Sequence, residues 1–70
     1  MMVLKVNGAR VHYHEKSSTV LAFLRWRGID AERRGLAVAV DGVVVQRDDW
    51  HSTILRNGQT IEVVTPMAGG

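Results

Sequence analysis

Val3-Leu4-Lys5-Val6-Asn7-Gly8-Ala9-Arg10-Val11-His12-Tyr13-His14 is the stretch that decides the fold. Asn7-Gly8 separates two alternating runs, and a two-residue type I′ turn needs positive φ at both central positions, which Asn and Gly tolerate best. The stretch therefore reads as a β-hairpin. A period of two puts Leu4 and Val6 on one face with Val11 and Tyr13, and turns Lys5, His12 and His14 to the other.

Downstream, Ser17-Ser18-Thr19 precedes Val20-Leu21-Ala22-Phe23-Leu24-Arg25-Trp26-Arg27-Gly28. Ser18 or Thr19 can cap a helix by accepting from an amide of its first turn. Val20, Phe23 and Leu24 form one apolar stripe at helical spacing. Gly28 suits the helix end, and the basic residues nearby complement the helix dipole. The expectation is one helix of about ten residues lying across a sheet. Asp30 to Gly35 is a polar connection. Leu36-Ala37-Val38-Ala39-Val40 then reads as an interior strand covered on parts of both faces. Asp41-Gly42 signals a second hairpin into Val43-Val44-Val45. Arg47 to His51 reads as a short turn or 3₁₀ piece anchored by Trp50. Asn57-Gly58 is a third tight turn before the last strand, Thr60-Ile61-Glu62-Val63-Val64.

Two strands, a helix and three further strand-like segments make an α+β domain with the helix over one sheet face. The economical solution is a β-grasp, a mixed four- to five-stranded sheet whose first and last strands lie parallel at its centre. Seventy residues allow one such domain, expected over 1–66, followed by a flexible Gly-Gly tail over 67–70.

The hydrophobic fraction of 46% is that of a globular chain rather than a disordered one. Absence of cysteine excludes a disulfide framework and a thiol nucleophile. No apolar run approaches the ~20 residues needed to span a bilayer, and Met1-Met2-Val3-Leu4-Lys5 lacks the pattern of a signal peptide. A soluble, cytoplasmic protein without a membrane partner is the expectation. Arg25, Arg27, Arg33 and Arg34 could form a basic patch, which a solvated helix end and loop also explains. With a net charge of only +2 and little aromatic interleaving, nucleic-acid binding is not favoured, although a small basic RNA-binding module is an alternative of a different class.

The chemistry points to Thr65-Pro66-Met67-Ala68-Gly69-Gly70. Pro66 has no amide hydrogen, so regular strand pairing should end near it. A terminal Gly-Gly read alone is a frayed end. Read as function, the Gly70 carboxylate, with a reference pKa of ~3.3–3.7, is ionised at pH 7 and can attack the α-phosphorus of ATP. The resulting acyl adenylate can exchange AMP for sulfur, leaving a thiocarboxylate. Met67, Ala68 and Gly69 would thread the partner's active site, where glycine permits close backbone approach.

Val38-Ala39-Val40-Asp41-Gly42, Val44-Val45, Arg47, Trp50, Gly58, Ile61-Glu62-Val63-Val64 and Ala68-Gly69-Gly70 resemble the ThiS family, the sulfur carriers of thiamine thiazole synthesis. Asn7-Gly8, Thr19-Val20 and Leu24 extend the likeness more loosely into the first half. Gln46 stands where the family commonly has proline, and Gln59 where aspartate usually follows glycine; both are surface turns. The resemblance implies a ubiquitin-like fold and no catalytic residue or bound cofactor in the carrier itself. It implies adenylation of Gly70 by a ThiF-like enzyme using ATP and Mg, a sulfur donor such as a cysteine desulfurase, and delivery to a ThiG-like thiazole synthase. The related MoaD carriers of molybdopterin synthesis share fold and tail, so a MoaD-like role or another sulfur pathway is the nearest alternative, with a ubiquitin-like protein modifier beyond it.

Other constellations are weaker. His12 and His14 share a strand face, but zinc normally takes three or four protein ligands and only His51 remains. No metal site is expected. Asp48 and Asp49 are adjacent, which suits turn capping better than acid–base work. Trp50 is expected in the core, whereas Trp26 lies off the helix stripe. The uncovered sheet face, with Lys5, Glu62 and Val64, is the expected docking surface, because an apolar residue among polar ones suits a transient interface.

Overall fold

The computed structural model describes residues 1–66. Strands β1 (Met2–Val6) and β2 (Ala9–Tyr13) form the antiparallel hairpin, with Leu4 opposite Val11 and Val6 opposite Ala9. Its turn holds Asn7 at φ +48° and Gly8 at φ +86°, as a type I′ geometry requires. A two-residue strand β3 (Ser18–Thr19) leads into helix α1 (Val20–Trp26). Strands β4 (Ala37–Val40) and β5 (Val43–Val45) form the second hairpin, followed by a 3₁₀ turn at Arg47–Asp49. Strand β6 (Ile54–Leu55) pairs with β3, and β7 (Thr60–Val64) closes the order.

The main sheet has the order β2-β1-β7-β4-β5. β7 runs parallel to β1 and antiparallel to β4, so the last strand is the middle one. This is the expected mixed sheet of a β-grasp. The separate β3–β6 pair has no counterpart in the sequence reading, because two-residue strands are too short to show a period.

The helix has seven residues rather than about ten. The Thr19 side chain accepts from the Ala22 amide at 3.1 Å and fixes the start. The Gly28 and Ile29 amides donate to the Arg25 and Leu24 carbonyls at 3.0 and 2.9 Å, closing a Schellman motif that ends the helix early. The first-turn amides of Val20 and Leu21 donate to the carbonyls of Thr53 and Trp50, so the 3₁₀ region holds the helix start.

Val20, Phe23 and Leu24 pack on Leu4, Val6, Val11, Tyr13, Val38, Ile61 and Val63, all buried. Trp50 is buried as expected, at 2% exposure. Trp26 is 47% exposed, but its ring lies 4.5 Å from that of Tyr13 and covers the end of the core. The expected two-sided cover of β4 is not found. Val38 and Val40 are buried, whereas Ala37 is exposed and Ala39 half-buried. The single helix covers only one face, and small alanines occupy the open one.

Candidate functional site

β7 carries the chain to its C-terminal segment, and three devices hold its exit end. The first is a side chain that continues a sheet ladder. Backbone pairing between β1 and β7 ends where the Asn7 amide donates to the Ile61 carbonyl at 2.9 Å. Beyond that rung, Asn7 Oδ1 accepts from the Val63 amide at 2.8 Å, and Asn7 Nδ2 donates to the Val63 carbonyl at 3.0 Å. The carboxamide thus stands in for a peptide group and satisfies both polar groups of Val63.

The second device is at Pro66. Its carbonyl accepts from Arg33 Nη2 at 3.0 Å. Gly35, at φ +85°, lies beneath the ring, and a Cβ there would meet Pro66 Cγ at 3.4 Å. Regular pairing stops at Val64, as the proline requires.

The third device supports the second. Arg47 Nη1 donates to the Ala31 carbonyl, and Nη2 donates to the Arg33 carbonyl at 2.7 Å. The planar fork of the guanidinium matches two carbonyls in one loop. Its other face stacks on Trp50, 4.6 Å from the ring centroid. Trp50 Nε1 in turn donates to the Val45 carbonyl at 2.9 Å. The Arg47 and Trp50 pattern of the sequence therefore supports the loop that holds Pro66. By sequence residues 30–35 are a plain polar connection, and a glycine beside two arginines is the available signal of this role.

The open sheet face divides in two. On its β7-β4-β5 side, Ala37, Ala39, Val44, Glu62 and Val64 line a shallow hollow of about 190 Å³. Val44 and Val64 are exposed at 64% and 61%, an apolar patch around one carboxylate. On the other side, Lys5 and Arg10 line a separate hollow of about 320 Å³ with Val3 and Gly8. The structure thus unites Glu62 and Val64 and sets Lys5 apart; Lys5 sits opposite Thr60, not Glu62. Met67, Ala68, Gly69 and Gly70 lie outside the described residues.

At Gln59, Oε1 accepts from the Arg56 amide at 2.7 Å and Nε2 donates to Asp41 at 3.1 Å, so glutamine joins two turns. Arg25, Arg27, Arg33 and Arg34 are all exposed, and Arg33 is engaged by Pro66. Among the described residues no three His, Cys, Asp or Glu side chains gather to hold a metal ion. No described helix is long and apolar enough to cross a membrane.

A helix laid over a mixed sheet whose parallel central pair joins the first and last strands defines the class of β-grasp folds. The family model of the ThiS family matches residues 3–70, and the chain belongs to that family of small sulfur carriers of thiamine biosynthesis. The fold is similar to the crystal structure of the thiamine biosynthesis protein ThiS from Geobacter metallireducens. The TM-score is 0.83 at 27% identity, covering 99% of this chain and 100% of that one. An NMR solution structure of a thiamine biosynthesis protein from the same organism gives 0.82 at 26% identity, covering 99% and 88%. No curated protein matches the sequence.

Proposed function

We propose that this chain carries sulfur for the thiazole ring of thiamine as a thiocarboxylate on Gly70. The observation that carries this reading is membership of the ThiS family over residues 3–70. A ThiF-like enzyme, using ATP and Mg, lets a Gly70 carboxylate oxygen attack the α-phosphorus. Pyrophosphate leaves and an acyl adenylate forms. The outer sulfur of a persulfide, charged by a donor such as a cysteine desulfurase, then attacks the acyl carbon and AMP departs; a thiol reductant cleaves the resulting acyl disulfide, is itself oxidised to a disulfide, and leaves the thiocarboxylate. A ThiG-like thiazole synthase accepts the sulfur. The carrier supplies no catalytic group; it supplies an end group, and Met67, Ala68 and Gly69 form the limb that brings it into two successive active sites. Gly69 and Gly70 suit the end of that limb, since a missing Cβ permits close approach to bound nucleotide.

The β7-β4-β5 side of the open face supports this reading as a docking surface. Val64, Val44, Ala37 and Ala39 offer apolar area around Glu62, with Lys5 and Arg10 at the flank. Exposed apolar area beside charged groups suits a transient interface.

Intact-mass analysis after incubation with ATP, Mg, the activating enzyme and a sulfur donor tests the proposal. The expected gain is that of one oxygen replaced by sulfur, localised to the C-terminal peptide, with thiazole formed once thiazole synthase and its substrates are added. An unchanged mass with an enzyme that releases AMP on a known carrier would refute the reading.

A further inference from the structure

Arg33 holds the carbonyl of Pro66, and nothing in the carrier chemistry accounts for it. We infer that Arg33 is a positioning residue: seated on a braced loop, it fixes the peptide plane from which the tail leaves and so sets the direction in which Gly70 is presented. The inference rests on the carrier reading and extends it to this chain's own residues.

The Arg33 guanidinium donates to the Pro66 carbonyl at 3.0 Å. That oxygen belongs to the peptide unit joining Pro66 to Met67, so fixing it orients the first bond of the tail. Proline fixes φ on the other side of the same residue, and its ring rests against Gly35. With one torsion locked by the ring and the carbonyl held by the arginine, little freedom is left at the root.

The loop beneath can bear this role because it is tied down at several points. Ala31 and Leu36 are buried at its two ends. Asp30 Oδ1 accepts from the Glu32 amide at 3.0 Å, and the Arg33 amide donates to the Asp30 carbonyl at 3.0 Å. Arg47 takes hold of the Ala31 and Arg33 carbonyls while stacked on buried Trp50. Trp50, Arg47, the loop carbonyls, Arg33 and Pro66 thus form one chain of contacts from the core to the root.

Direction matters because the limb is short. Four residues beyond Pro66 reach at most about 13–14 Å even when fully extended. A tail that starts in the wrong direction cannot make up the distance with slack. A free root must also be ordered at each visit, and ordering backbone costs conformational entropy. Fixing it in the free carrier removes part of that cost from the encounter.

The test compares Arg33→Ala, Arg33→Lys and the neighbouring Arg34→Ala in the full chain. Arg34 is exposed, and its replacement makes the same charge change. In pyrophosphate release by the activating enzyme, Arg33→Ala is expected to raise the KM for the carrier about three- to tenfold, the range set by one net hydrogen bond, with kcat unchanged. Arg33→Lys is expected to recover part of the loss, because an ammonium can still donate to one carbonyl. Arg34→Ala should leave both constants alone. In the free carrier, backbone amide ¹⁵N relaxation at Thr65 and Met67 should report faster local motion in Arg33→Ala than in wild type or Arg34→Ala, with thermal melting unchanged. Equal KM values and equal relaxation for Arg33→Ala and Arg34→Ala would overturn the inference. If the wild-type chain accepts no adenylate, the carrier reading fails, and relaxation alone then decides whether Arg33 holds the root.

Discussion

Replacing Asn7 by glycine isolates the side-chain rung between the hairpin turn and the exit end of β7. Glycine tolerates the φ of +48° at this position at least as well as asparagine, so the turn itself survives. What is lost is the pair of bonds at 2.8 and 3.0 Å to Val63. Each is a neutral, half-buried bond worth about 1 kcal/mol net, so the expected destabilisation is about 2 kcal/mol. A domain of 70 residues has a total stability of roughly 3.5–10 kcal/mol at typical values per residue. The change is thus a fifth or more of the whole. At ~4–8 °C per kcal/mol for a domain of this size, the melting temperature should fall by about 8–16 °C. Urea titration followed by Trp fluorescence is the direct assay, with a lower midpoint and an unchanged m-value expected. A loss below about 0.5 kcal/mol would mean that water replaces the carboxamide at no cost, and the rung would then be an ornament of the turn. Asn7→Asp sharpens the contrast, because a carboxylate can accept from the Val63 amide but cannot donate to its carbonyl.

Two further outcomes follow from the packing and the open face. Trp50→Ala removes a residue only 2% exposed and the platform under Arg47, so it should cost about 3–5 kcal/mol in denaturant titration; a loss under 1 kcal/mol would contradict its place in the core. Val64→Glu places a second carboxylate beside Glu62 on exposed surface, so stability should change by no more than about 0.5 kcal/mol. Binding to thiazole synthase, read by calorimetry, should weaken about tenfold or more, the loss expected of a central apolar contact, and undiminished affinity would move the docking surface elsewhere.

The parts of this fold that were legible in the sequence are those written in short-range signals. Asn7-Gly8 and Asp41-Gly42 announced both hairpins, and alternation assigned Leu4, Val6, Val11 and Tyr13 to the buried side. The placement of the last strand beside the first followed from economy of topology. Long-range side-chain work was not legible. Asn7 and Val63 are 56 residues apart, and Arg47 reaches carbonyls 16 and 14 residues earlier. No periodicity encodes a side chain that substitutes for backbone in this way. The length of α1 was overestimated because the apolar stripe carries no information about where a Schellman motif closes. The solvent-facing alanines of β4 misled for a similar reason: Ala is apolar enough to extend a buried pattern and small enough to line an open face. The tail chemistry was read from residue type alone, and its residues, Met67 to Gly70, lie outside the described structure.

The central position of β7 also has a mechanical consequence. A partner that grips the end of this chain pulls along the axis of a strand flanked on both sides, by β1 and by β4. The lateral bonds on either side are then loaded together and sideways, and they share the strain. A limb attached to a border strand such as β5 would load a single row of lateral bonds. Force applied at the exit end of β7 is thus borne by two neighbours at once.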